Sequence, residues 1–220
     1  MRILITSGGT SEPIDGVRVV TNLSTGSTGA ALAQSFLDAG HEVHMVIGRF
    51  ATYPEGLTSI RRYTSFKSLE EILEESLQNI PIDVVVHLAA VSDFSPEEII
   101  YSDGRRARAS SSGKLSSTEE FSISFKKNHK IIDKIRSFCD TEIVLIGFKL
   151  TDTSSEEERL EAIEGLLSRG CCDLVVHNDL HGIEAERHEA GFYQERGCIG
   201  RCSTKAEMAA WLLDYLGDRR

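Results

Sequence analysis

Residues 2–29 read RILITSGGTSEPIDGVRVVTNLSTGSTG. Arg2–Ser7 is a short β-branched and apolar run, the type that becomes a strand buried on both faces, and it stops abruptly at Gly8, Gly9 and Thr10. Paired glycines at a strand end let the backbone approach an anion, and successive N–H groups there form a nest. A second turn, Asn22-Leu23-Ser24-Thr25-Gly26, precedes a helical period at Ala30, Ala33, Phe36 and Leu37. The N-terminus of that predicted helix faces the same crevice and adds its own attraction for phosphate. The arrangement is similar to a Rossmann turn, but no G-x-G-x-x-G bridges strand and helix; turn-forming residues intervene.

Outward from this stretch, strands are predicted at Glu42–Ile47, Ser59–Tyr63 and Asp83–Leu88. Between the last two lies a helix with Leu69, Ile72, Leu73 and Leu77 on one face, which Ser68 and Glu71 would open as a capping box. The alternation predicts an α/β chain, a Rossmann-like three-layer fold around a mostly parallel sheet, with ligands beyond the carboxyl ends of the strands. Residues 95–117 break the rhythm. They are polar and read as an irregular, flexible lid (about 95–118). Phe121, Ile123 and Phe125 then alternate as a half-buried strand, residues 128–138 read as a helix, and Glu142–Phe148 as another buried strand. Ser155 with Glu158 caps the next helix, Asp173–His177 is the last core strand, residues 192–203 form a hairpin turning near Gly197, and Thr204 with Glu207 caps a final helix. The 220 residues are read as one domain.

With 40% hydrophobic and 26% charged residues the composition is that of an ordinary globule. The net charge of -10 argues against a nucleic-acid surface, which needs a basic patch, but not against a nucleotide whose charge a few local groups can meet. No run approaches the roughly 18 apolar residues of a membrane span. Met1 leads directly into the first strand, so the expectation is a cytoplasmic protein without a signal peptide. The five cysteines, including Cys171-Cys172, Cys198 and Cys202, form no zinc spacing with the nearby histidines and read as incidental thiols.

The strand at Asp83–Leu88 ends in Ala89-Ala90-Val91-Ser92-Asp93-Phe94. Two alanines leave room for a flat group, and Asp93 is either a turn cap or a carboxylate suited to a hard cation. Phe148 is either a core aromatic or a flank for a base, and Lys114 either a solvated lysine or a phosphate contact. Arg18 either pairs with Glu12 or Asp15 or touches substrate.

Gly8-Gly9-Thr10, Glu12, Ile14-Asp15, Val17-Arg18, Asn22, Ser24, Gly26 and Gly29 together resemble the opening of the phosphopantothenoylcysteine synthetases (phosphopantothenate-cysteine ligases), here of the bacterial monofunctional type. Ala89-Ala90-Val91 with Asp93-Phe94, Gly113–Ser117, Gly147-Phe148 and His177-Asn178-Asp179 extend the resemblance to about residue 179. It implies a ligase of coenzyme A biosynthesis. Such an enzyme activates 4'-phosphopantothenate with CTP (or ATP) and Mg²⁺, releases pyrophosphate, and passes the acyl-nucleotide to L-cysteine. It implies Asn22 and Lys114 as catalytic residues and Arg18 as a substrate contact. Gly8, Gly9, Thr10, Ser24, Thr25, Gly26, Ala89, Ala90, Asp93 and Phe148 would hold the nucleotide, with Asp93 at the metal. It further implies a homodimer whose sites borrow residues from the partner, with Val17, Val19 and Val20 at the interface, and a separate phosphopantothenoylcysteine decarboxylase as a metabolic partner. Arg169 is expected near the triphosphate, and His177 replaces a small residue. Two rivals remain: an NAD(P)-dependent short-chain reductase, which needs the missing glycine fingerprint and normally a Tyr-x-x-x-Lys pair, and a non-catalytic nucleotide-binding module.

Overall fold

The structure is a computed structural model describing residues 1–110, 112–184 and 186–219. The chain runs β1 (Arg2–Ser7), a hairpin of β2 (Ser11–Pro13) and β3 (Val19–Thr21), α1 (Ser27–Asp38), β4 (Glu42–Gly48), β5 (Ile60–Tyr63), α2 (Phe66–Asn79) and β6 (Val84–His87). An antiparallel trio follows, β7 (Phe94–Tyr101), β8 (Arg106–Arg108) and β9 (Phe121–Lys127). Then come β10 (Val144–Thr151), α3 (Glu156–Leu167), β11 (Leu174–Ile183), β12 (His188–Gln194), β13 (Gly197–Cys202) and α4 (Lys205–Gly217).

Eight strands form one sheet in the order β13-β12-β11-β10-β6-β1-β4-β5, parallel from β11 to β5 and antiparallel at β12 and β13. β1 lies in the middle, with Ile3–Ile5 paired to Val43–Met45 on one side and to Val84–Val86 on the other. Ile3, Leu4 and Ile5 are wholly buried because helices cover both faces. Ile3 and Ile5 meet Leu32 and Phe36 of α1 and Leu212 of α4. Leu4, Val85 and Leu145 meet Leu69 and Leu73 of α2 with Ile131 and Ile135. Each such fully buried side chain stabilises the fold by roughly 1.5–3 kcal/mol. From β1 the chain builds outward to β4 and β5, then returns to the other side of β1 as β6. The β1/β6 junction is therefore the switch point, where open parallel sheets form their crevice.

Four local expectations change. The stretch read as an irregular lid is sheet over its first half: β7 pairs with β8, turning at Asp103-Gly104, a dipeptide that favours tight hairpins, and with β9 beyond the stretch. Ser111 of that segment lies outside the described residues. Residues 128–138 form two 3₁₀ turns, Ile131–Asp133 and Ile135–Phe138, instead of a helix, although Ile131, Ile132, Ile135 and Phe138 are buried as the pattern required. α2 starts earlier than expected: Ser65 is the cap and Ser68, at the third helical position, completes the box in place of Glu71. Finally, the β2–β3 hairpin folds out of the stretch read as turn.

Candidate functional site

A cavity of about 1010 Å³ opens at the switch point, beyond the carboxyl ends of β1, β6, β10 and β11. That is at the upper end of small-molecule pockets, enough for two ligands side by side. Its wall holds Gly9, Asn22, Ser24–Thr28, residues 87–91, Asp93, Phe148 and Asn178.

The N-terminus of α1 supplies one side. Gly26 precedes the helix at φ 75, left-handed geometry that a side chain would strain; it has no side chain to cap the first turn, and among the described residues only the Ser27 amide meets a hydroxyl, that of Thr25 at 3.4 Å. Ser24, Thr25 and Gly26 line the cavity, so the exposed amides of this helix end face it. Gly29 lets α1 lie directly on β1: a Cβ there would stand 2.3 Å from Ser7 Oγ.

Gly8, Gly9 and Thr10 behave differently from one another. The carbonyl of Gly8 accepts from Ala90 N (2.9 Å) and from the Tyr63 hydroxyl (2.8 Å), while Thr10 N donates to Ala90 O (3.2 Å). The loop thus prolongs the β1/β6 pairing for two residues, and of the three only Gly9 reaches the cavity wall. Ala89 and Ala90 lie on that wall, Asn22 Nδ2 donates to Ala90 O at 3.2 Å, and the Asn22 backbone carbonyl packs against Gly9, where a Cβ would stand 2.3 Å from its oxygen.

Two acidic residues of the opening motif serve the scaffold. Glu12 is buried, accepts from Phe66 N at the start of α2 (2.7 Å) and from the Ser95 hydroxyl (3.0 Å), and so ties the hairpin to α2 and β7. Asp15 is buried and accepts from the amides of Leu115 (3.0 Å), Val17 (2.8 Å) and Arg18 (2.7 Å), and from the Arg18 guanidinium (2.8 Å). The Leu115 amide above all, with the amides of Val17 and Arg18, holds its carboxyl at about 2. Arg18 is therefore paired with Asp15, and Lys114 is exposed beside this clamp; neither lines the cavity of its own chain.

The cavity carries cations in a strongly acidic chain. Lys130 pairs with Asp93, Arg169 with Asp133 (3.1 Å), and Lys149 has no ion-pair partner among the described residues. Phe148 lies half-buried on the wall, in register with Val176, and Asn178 Nδ2 donates to Glu189 O (2.9 Å). His177 is buried and meets the Thr151 hydroxyl at 2.8 Å. No group of three or more His, Cys, Asp or Glu suited to a metal occurs among the described residues. One exposed carboxylate at the cavity still fits Mg²⁺, which keeps most of its shell as phosphate and water oxygens, and Asp93 has that position.

Sequence reading missed His87, Lys130, Lys149 and His188 on this wall. His188 is buried with Nε2 3.5 Å from the Thr28 hydroxyl, and burial lowers its pKa. The position of His87 as the last residue of the β6 run was the available signal, since residues at carboxyl ends of parallel strands face the crevice. Tyr63 and Lys67 have the Tyr-x-x-x-Lys spacing of reductases, but the Tyr63 hydroxyl is buried against two carbonyls and its pKa is pushed up, while Lys67 is exposed beside Glu71.

Residues 1–218 match the model of the DNA/pantothenate metabolism flavoprotein C-terminal domain. The chain belongs to this family. A coenzyme A biosynthesis bifunctional protein from Methanocaldococcus jannaschii is 31% identical over 179 residues, 81% of this chain and 40% of the relative. One from Thermococcus kodakarensis is 31% identical over 188 residues, 86% of this chain and 43% of the relative. This family member thus spans less than half the length of those relatives. A crystal structure of the DNA/pantothenate metabolism flavoprotein from Streptococcus pneumoniae superimposes with a TM-score of 0.88 at 33% identity, covering 100% of both chains. The C-terminal domain of a bifunctional coenzyme A biosynthesis protein gives 0.69 at 27% identity, covering 98% of this chain and 93% of that one. Among the described residues, no helix is long and apolar enough to cross a membrane.

Proposed function

We propose that the protein is a phosphopantothenate-cysteine ligase of coenzyme A biosynthesis, using CTP in preference to ATP. The observation that carries this reading is one cavity at the switch point onto which the glycine-led start of α1, Asn22 and the Ala89-Ala90 strand end converge, in a chain of the flavoprotein C-terminal family.

The physical problem is to bring two anions together. The amides at the start of α1 and the cation Lys149 offset the charge of the triphosphate. Mg²⁺ bound with the nucleotide, with Asp93 as its protein carboxylate, would neutralise further phosphate charge. An oxygen of the 4'-phosphopantothenate carboxylate attacks the α-phosphorus, the bond to the β-phosphate breaks, and pyrophosphate leaves. The amine of L-cysteine then attacks the acyl carbon, gives up a proton, and the nucleoside monophosphate departs. Asn22, with one amide hydrogen spent on Ala90 O, keeps a second hydrogen and its carbonyl to orient the acyl group in that step.

Arg18 and Lys114 enter the scheme through a second copy. Val17 (68% exposed), Val19 (47%) and Leu23 (98%) present an apolar surface beside the Asp15 clamp, and a homodimer through this surface would carry one chain's Arg18 and Lys114 to its partner's cavity. The decisive assay is pyrophosphate release from each of the four nucleoside triphosphates with phosphopantothenate and cysteine. CTP-dependent release is expected, and none with any nucleotide overturns the reading. Asn22→Asp should form acyl-nucleotide but transfer it poorly, and Lys114→Ala should fail at activation. Mixing inactive Asn22→Asp and Arg18→Ala chains should restore about a quarter of the sites if each site takes Arg18 from the partner.

A further inference from the structure

His87 is 7% exposed and stands at the end of β6, level with Thr6 of β1, on the floor of the cavity. The Thr6 hydroxyl oxygen accepts from the amides of Leu88 (3.1 Å) and Ala89 (3.1 Å), which occupies both of its lone pairs. Its own proton is therefore the one shared with His87 Nδ1 at 2.9 Å, and Nδ1 must be the acceptor. Burial lowers the pKa of His87 to about 4, so the ring is neutral at pH 7 and its proton sits on Nε2. No described protein group bonds Nε2, and no buried side-chain nitrogen or oxygen lacks a partner among the described residues, so this atom opens onto the cavity. The result is an uncharged N–H donor of fixed direction, nine-tenths buried, with nothing to donate to.

The fold says which ligand reaches it. Thr6 and His87 lie on the sheet face of Leu4 and Val85, opposite the face that α1 covers. Polyphosphate is drawn to the start of α1; on the face of Leu4 and Val85 the cavity is lined by Ile131, Ile132 and Leu166, with Lys130 and Arg169 on the same segments, each paired with a carboxylate. Apolar side chains with one buried neutral donor, and cations already paired with carboxylates, suit a largely apolar chain bearing a carbonyl or carboxylate oxygen. We infer that His87 is a substrate-contacting residue whose Nε2–H donates to an oxygen of the acyl substrate, and that Thr6 is the positioning residue that sets its tautomer. This rests on the ligase reading for the identity of the ligand, 4'-phosphopantothenate.

Long-range ¹H–¹⁵N spectra of the ¹⁵N-histidine-labelled protein test the first half without any reaction. The Nε2–H tautomer is expected for His87 in the free protein, and an Nδ1–H tautomer overturns the inference whatever the ligand. Phosphopantothenate alone should shift the His87 Nε2 signal, whereas a shift with CTP alone and none with phosphopantothenate overturns it. His87→Phe, similar in size but without a donor, should weaken phosphopantothenate binding about tenfold while leaving CTP binding within about twofold. His87→Gln, whose amide nitrogen can take the place of Nε2, should recover most of the loss. Unchanged phosphopantothenate affinity in a folded His87→Phe, in a wild-type background that ligates, overturns the inference alone. A wild type that neither binds phosphopantothenate nor releases pyrophosphate overturns the ligase reading and the ligand assignment, while the tautomer is still judged on the free protein.

Discussion

A methyl group at Gly29 tests whether α1 must touch β1 for the cavity to hold phosphate. A Cβ built at Gly29 stands 2.3 Å from Ser7 Oγ and 2.6 Å from Ser7 Cβ, both on a wholly buried residue of the central strand. Non-bonded carbon contacts settle at about 3.5–4.0 Å, so the first turn of α1 has to retreat by roughly 1 Å. Overpacking of this kind costs about 1–3 kcal/mol, against about 1 kcal/mol returned by removing glycine from a helix, leaving a net loss of up to about 2 kcal/mol. Because the retreat carries the amides of the helix start with it, Gly29→Ala should weaken nucleotide binding about tenfold, the worth of one or two stretched hydrogen bonds. Urea denaturation and titration calorimetry with CTP read the two effects separately. Ser7→Gly placed behind Gly29→Ala removes both clashing atoms and should restore binding even though the strand itself is weakened. A Gly29→Ala protein that is more stable than wild type and binds CTP undiminished would refute the argument, since helix propensity alone would then govern the site.

Asp15 carries a carboxyl at about 2 in the folded chain, below the roughly 3.9 of unfolded aspartate, so its contribution to stability is complete above about pH 4 and lost as pH falls toward 2. Asp15→Asn should flatten the acid limb of the stability curve in that window and speed trypsin cleavage at Arg108 and Lys114, because the Leu115 amide loses its anionic acceptor. Glu12→Ala should lower stability by about 1–2 kcal/mol in urea, leaving the Phe66 amide without its acceptor while the Ser95 hydroxyl keeps Asn128 Oδ1, and Glu12→Gln should cost less.

Most of the architecture was legible in local pattern. The continuous apolar runs at residues 2–7, 83–88 and 142–148 can be satisfied only by strands covered on both faces, and the helices at Ser155 and Thr204 began where their caps stood. Asn22, Ser24, Thr25, Gly26, Ala89, Ala90, Asp93 and Phe148, expected from the resemblance, all line the one cavity. What periodicity could not supply was which hydrogen-bonding groups are already spent. Arg18 was open between a pair with Glu12 or Asp15 and a substrate contact; it pairs with Asp15, and hydrogen bonds to residues far along the chain, Phe66 and Leu115, make the two carboxylates part of the frame. The reverse holds for His87, which reads in one dimension as a polar interruption of a strand. Only pairing of β6 with β1 puts it beside a hydroxyl whose acceptors are full, and that contact decides where its proton lies. Sequence determines which elements form because burial and capping are near-neighbour effects; the chemical state of a side chain depends on who shares its hydrogen bonds, and only the tertiary structure settles that.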